Sequence, residues 1–168
     1  MSGENRTPSG RAELDAQVAA HPFFIGMSAH YIRLLSDCAM ATRFEKDQVI
    51  FHAGETANRF YLIENGKVVL ESEPDAGGAP VIIDTISAGD LLGWSWIFPP
   101  FVWHFTARAV QSTRSIFFYG TILREYCEKD PMLGYELFKR MSEVMMRRLQ
   151  LARGQLIDAM KNTAQKKS

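Results

Sequence analysis

Gly89-Asp90-Leu91-Leu92-Gly93-Trp94-Ser95-Trp96-Ile97-Phe98-Pro99-Pro100, running on into Phe101-Val102-Trp103-His104-Phe105-Thr106-Ala107-Arg108-Ala109-Val110, is the stretch on which the fold of this chain turns. Its second half alternates with period two. That places Trp103, Phe105, Ala107 and Ala109 on one face of a strand, and His104, Thr106 and Arg108 on the other. The small and aromatic set reads as the inward face, so Arg108 is expected to point outward. Asp90 sits just before Leu91-Leu92-Gly93 and reads as closing a turn. Pro99-Pro100 stiffens the loop between the halves. Five large rings crowd this region: Trp94, Trp96, Phe98, Trp103 and Phe105. They either fill the inside of a small barrel as core, each burying about 150–250 Å², or line a concave pocket for a planar, weakly polar ligand. The bulk of the rings in so small a barrel favours the first. If the pocket is open, Leu92, Gly93, Trp94, Ser95, Trp96, Trp103, His104, Phe105 and Thr106 are its candidate lining.

The surroundings keep the same period. Between Ala41 and Tyr119 short β-rich runs occur at Thr42–Phe44, Val49–Phe51, Arg59–Ile63, Lys67–Ser72, Val81–Ile86, Phe105–Val110 and Arg114–Tyr119. Turn sequences separate them: His52-Ala53-Gly54-Glu55, Asn65-Gly66, Asp75-Ala76-Gly77-Gly78 and Ser87-Ala88-Gly89-Asp90. Asn65-Gly66 predicts a hairpin, because both residues tolerate positive φ. Many short strands at even spacing predict a sandwich or jelly-roll barrel.

Helical spacing flanks this β-roll. Residues 1–11 are polar and read as a disordered lead-in. Leu14 to Ala20 predicts a short helix that His21-Pro22 ends, followed by an apolar plug of Phe23, Phe24 and Ile25. Ser28 is placed to cap a second helix from Ala29 to Cys38. After the β-roll, Thr121 to Glu128 predicts one helix. Asp130-Pro131 then starts a long one from Met132 to Met160, on the order of 40 Å in length. Residues 161–168 read as a polar tail. In the long helix Leu133, Leu137, Met141 and Val144 form a stripe suited to packing on the barrel. Phe138, Met145, Leu149, Ala152, Leu156 and Ala159 form a second seam, suited to a parallel helix pair and hence a homodimer. Arg147, Arg148 and Arg153 read as a solvated face. The chain is therefore expected to be one domain of class α+β over residues 12–160, with the β-roll at about 41–119 and the closing helices at about 121–160.

Bulk composition narrows the function classes. Of 168 residues, 46% are apolar, ample for one core. Nineteen basic side chains balance nineteen acidic ones, so no whole-chain field draws nucleic acid or an anionic membrane surface. Cys38 and Cys127 stand apart among apolar neighbours, as buried free thiols do in a reducing compartment. With no apolar leader and no membrane-length apolar run, a cytoplasmic protein is expected. His52 raises a metal site, since jelly-roll cupins use a His-x-His and a nearby Glu. It stands alone, with His21, His30 and His104 in unrelated segments, and Gly54 explains the turn. No nucleophile elbow, phosphate loop or carboxylate pair is present. Neither catalytic residues nor a metal site is expected.

The stretch from Gly89 to Val110 resembles the phosphate-binding cassette of the cyclic-nucleotide-binding domains in the Crp/Fnr-like, catabolite-activator regulators. Short helices, a β-roll and a long exit helix match that family over roughly residues 20–160. Met145-Met146-Arg147-Arg148-Leu149-Gln150 is similar to its long helix. The resemblance implies a Glu after Gly93 to accept from ribose, and here that position is Trp94. It implies an Arg to pair with the cyclic phosphate, followed two residues later by Ala; those positions are Trp103 and Phe105. It implies a Thr-Ser pair on the helix touching the base, one residue from each subunit; those positions are Ala152 and Arg153, the latter open to serve as a new anchor. The frame survives while the chemistry for a cyclic phosphodiester departs, so cyclic AMP or cyclic GMP is not expected as a cofactor. The family's transcription factors carry a helix-turn-helix module after this helix. The chain ends at Ser168, and no direct nucleic-acid binding is expected. Together these imply a non-enzymatic, dimeric regulatory or sensor protein. Its ligand is an atypical small molecule or a cyclic nucleotide held in a non-standard way, or it signals through a regulatory protein partner. The alternative is an interaction module whose pocket its own side chains fill.

Overall fold

Period-two sequence resolves into two four-stranded antiparallel sheets. The computed structural model describes residues 8–72 and 78–165. One sheet has the order β1 (Ala39–Phe44), β8 (Thr113–Tyr119), β3 (Arg59–Asn65), β6 (Leu91–Leu92). The other has β2 (Val49–Phe51), β7 (Thr106–Ala109), β4 (Lys67–Ser72), β5 (Val81–Ser87). Around them lie α1 (Pro8–Ala20), a 3-10 turn (Pro22–Phe24), α2 (Ala29–Ser36), α3 (Gly120–Lys129) and α4 (Pro131–Gln165). This is the jelly-roll form with a long closing helix.

Burial follows the pleat. Along β3, Phe60 and Leu62 turn toward the helices, while Tyr61 and Ile63 turn into the barrel; β8 divides Ile116 and Phe118 from Phe117 in the same way. The first sheet is thus covered on both faces, which is why its strands are nearly continuous apolar runs. Register pairs Phe60 with Phe118, and their rings stack at 4.6 Å. The helix side of this core takes Leu35 from α2 and Leu133, Leu137, Met141 and Val144 from α4, the stripe expected of that helix. Ser28 Oγ accepts from the Tyr31 N–H at the start of α2. Asp130 Oδ1 accepts from the Met132 and Leu133 N–H groups at the start of α4. Cys38 is buried, and desolvation pushes its thiol up to about 12.

Several expectations are corrected. Asn65-Gly66 does not close a hairpin: β3 pairs with β6 and β8, β4 with β5 and β7, so the turn carries the chain from one sheet to the other. Gly66 has φ +100°, and a Cβ there would lie 2.5 Å from Thr113 Oγ1 and 2.6 Å from the Ser112 carbonyl oxygen. The positive φ serves a crossing beside β8. The lead-in is helical from Pro8, a residue suited to a first helical turn, and Arg11 ion-pairs with Asp37 beyond α2. Residues 1–7 lie outside the described residues. The tail is helical through Gln165, since neither Gly nor Pro stops α4 after Met160; residues 166–168 lie outside the described residues, as do Asp75, Ala76 and Gly77 of one expected turn. Ile25 is exposed, so the apolar plug consists of Phe23 and Phe24 alone. Strand β6 went unforeseen, because two leucines carry no period.

Candidate functional site

The loop between β6 and β7 builds a cleft against the mouth of the barrel. It starts at Gly93, whose φ is +85°, and is tied at its far end to the segment Gly54–Ala57. There the Gly54 N–H donates to the Trp103 carbonyl at 2.8 Å, the Trp103 N–H to the Glu55 carbonyl at 2.9 Å, and the Ala57 N–H to the Phe101 carbonyl at 2.7 Å. The His52-to-Glu55 turn therefore acts as the loop's anchor. Thr106 Oγ1 adds to it by accepting from the Ala53 N–H. Asp90 Oδ2 accepts from the Ser87 N–H and closes the preceding turn.

Phe51, Leu70, Gly93, Trp94, Ser95, Trp103, His104, Phe105 and Arg148 line the cleft, which encloses about 380 Å³ with its solvent-filled mouth included. Trp103 is buried and lies flat on Phe51, with ring centroids 3.9 Å apart and planes 12° from parallel. Gly93 is pressed against that indole, where a Cβ would lie 2.7 Å from Trp103 Cη2 and Cζ3. Trp103 is thus a ring held by Phe51 and the Gly93 backbone. Arg108 faces away, with Glu71 at 3.3 Å.

The expected lining and the structure diverge at five places, the first being Thr106, which is not in the cleft lining and instead accepts from the Ala53 N–H. Trp96 is no part of this cleft. It is buried in the helix-side core and stacks on Phe60 at 5.4 Å, whereas Trp94, which also borders that core, is half-buried and lines the cleft. Leu92 lies in the barrel core, beneath Trp103 rather than on the cleft wall. Ala152 and Arg153 are exposed on α4 and do not line the cleft within one chain. Arg148 was placed on a solvated face, yet its side chain is only 12% exposed. Its guanidinium sits 4.8 Å from the Trp94 ring centroid, and Nε is 3.7 Å from Asp84 Oδ2. Desolvation lowers its pKa, with Asp84 and Asp90 opposing that shift. Its place was legible in spacing: 133, 137, 141, 144 and 148 form one face of α4, and only the charge at the last position concealed it. Phe51 and Leu70 lay in runs read merely as strands.

On α4 the side chains of Phe138, Leu149, Ala152, Leu156 and Ala159 are exposed, whereas Met145 is half-buried against the helix-side core. Met146, Leu151, Ile157 and Met160 add further exposed apolar surface. Among the described residues no group of His, Cys, Asp and Glu side chains could hold a metal ion, and no helix is long and apolar enough to cross a membrane.

The sequence model of the cyclic nucleotide-binding domain matches residues 41–130, more than half of the chain. Among curated proteins, a "putative potassium channel protein" of Rhodopseudomonas palustris is 26% identical over 122 residues; the match takes in 73% of this chain but only 29% of that relative's length. Among solved structures, a cyclic nucleotide-binding domain from Methylobacillus flagellatus superposes with a TM-score of 0.76 at 15% identity, covering 88% of this chain and 84% of that one. The sensor domain of the transcriptional regulator DNR from Pseudomonas aeruginosa gives 0.67 at 17% identity, covering 83% and 93%. The catabolite activator protein of Thermus thermophilus gives 0.63 at 21% identity, covering 83% and 63%. These structural likenesses establish the fold.

Proposed function

The chain belongs to the cyclic nucleotide-binding domain family, and from that premise we propose that it is a non-enzymatic regulatory sensor whose cassette has lost cyclic-nucleotide binding and whose cleft takes a smaller, atypical ligand. One observation supports this reading: Trp103, to which the resemblance assigns the place of the phosphate-pairing Arg, is a buried ring stacked on Phe51 and close to Gly93. A bidentate Arg–phosphate contact is a strong, charge-assisted interaction, and an uncharged indole stacked on Phe51 cannot replace it. Trp94 stands where the family places its ribose acceptor, with the cation of Arg148 over its face rather than a carboxylate toward the cleft. Native mass spectrometry of the purified chain tests the reading. It should carry no cyclic nucleotide, and a mass increment equal to cyclic AMP or cyclic GMP would sink it.

The protein acts as a homodimer on this reading. The exposed seam at Phe138, Leu149 and Leu156 continues along α4 into Ile157 and Met160, more apolar surface than a lone helix leaves in water. The similarity to part of a putative potassium channel protein supports reading the chain as a domain that signals through a partner.

A further inference from the structure

A buried guanidinium with an unspent nitrogen is the most unusual group in the molecule. Arg148 Nη2 donates to the Leu91 carbonyl, and Nε faces Asp84 Oδ2 at 3.7 Å. Among the described residues Nη1 has no hydrogen-bond partner and is closed to water. Leaving a charged N–H buried and unpaired is costly, so the site holds an unmet demand for an acceptor. The cleft it borders is aromatic and apolar: Trp94 lies under the guanidinium, and Trp103, Phe51, Phe105 and Leu70 share the lining.

We propose that Arg148 anchors a small planar monocarboxylate in this cleft, its flat body among the aromatic and apolar walls; this rests on the reading that the cleft takes a ligand other than a cyclic nucleotide. Ring walls select a flat apolar body, because offset and edge contacts between rings add to simple burial. The acceptor is a carboxylate, since a negative oxygen makes the stronger bond to a guanidinium. A single charge fits better than two, because Asp84 and Asp90 already lie near the cation and repel further negative charge. Size points the same way. The cleft encloses about 380 Å³ with its solvent-filled mouth included, at the small end of ligand pockets, which suits one substituted ring. The carboxylate reaches Nη1 as the guanidinium turns from Asp84. That carboxylate is more than a third exposed, and its 3.7 Å contact is weak. Binding therefore loosens the link between β5 and α4, the helix that bears the exposed seam.

Isothermal titration of the full chain with benzoate, benzamide and phenyl phosphate tests the assignment. Benzoate should bind at least tenfold more tightly than either of the others. Asp84→Asn, which removes the competing carboxylate, should tighten benzoate several-fold, a gain that misfolding cannot produce. Arg148→Gln should bring benzoate down to the benzamide level. Equal binding of benzoate and benzamide, or an Asp84→Asn variant that binds benzoate no better, overturns the anchor while leaving the small-ligand reading of the cleft intact. Tighter binding of phenyl phosphate overturns the monocarboxylate assignment, and no heat from benzoate at millimolar concentration overturns the proposal outright. Tight binding of cyclic AMP would instead strike the underlying reading of the cassette.

Discussion

Gly93 and Gly26 both hold positive φ, at +85° and +79°, but their surroundings differ. A Cβ at Gly26 meets nothing within 4 Å, whereas one at Gly93 meets the Trp103 indole at 2.7 Å. Alanine at either position incurs left-handed strain of about 1–2 kcal/mol. At Gly93 the ring must also shift, and it is stacked on Phe51, which adds overpacking of about 1–3 kcal/mol. Urea unfolding should therefore show Gly93→Ala losing at least about 1 kcal/mol more than Gly26→Ala. Equal losses would mean that the Trp103 ring is free to move and that the cleft is not pre-formed. The same scale shows why site residues were only partly legible. Trp94 and Trp96 are two residues apart and look alike in sequence, yet one lines the cleft and the other fills the core. The turn between them, where the Ile97 N–H donates to the Trp94 carbonyl at 3.1 Å, gives the two rings their different surroundings. Arg148 was hidden because its charge outweighed a spacing that already pointed inward.

Among elements, α4 carries the clearest division of labour. One face packs through Leu133, Leu137, Met141 and Val144, and the opposite side leaves Leu149 and Leu156 at 65% and 62% exposure. If the helix pairs with its copy, Leu149→Glu with Leu156→Glu places four carboxylates at an apolar seam in each dimer, and the variant should sediment as a folded monomer. Neither side chain supports the chain's own core, so circular dichroism should be unchanged. A wild-type chain that sediments as a monomer at micromolar concentration would remove the dimer from this account. The packing stripe was visible from spacing alone, since period and burial agree throughout it. The Asn65-Gly66 link was misread for a physical reason: positive φ serves a two-residue hairpin and an inter-sheet crossing equally well. Strand partners, which decide between the two, are set by contacts distant in sequence, such as Phe60 with Phe118.

For the whole molecule, the runs of alternating residues located seven of the eight described strands, and the jelly-roll class followed from their number and spacing. What a single chain's pattern could not supply was which faces of which strands meet. Helices cover one side of the first sheet and the barrel covers the other, and that sandwich brings an arginine from the last helix to the mouth of the barrel. The central claim is that this frame has outlived its cyclic-nucleotide chemistry. Breaking a buried charge pair costs about 3–5 kcal/mol, and taking that from a micromolar site leaves a Kd no tighter than roughly 100 µM. Isothermal titration calorimetry with cyclic AMP and cyclic GMP measures this directly. The account predicts no binding tighter than roughly 100 µM for either nucleotide, and a Kd of a few micromolar or below for either one would contradict it.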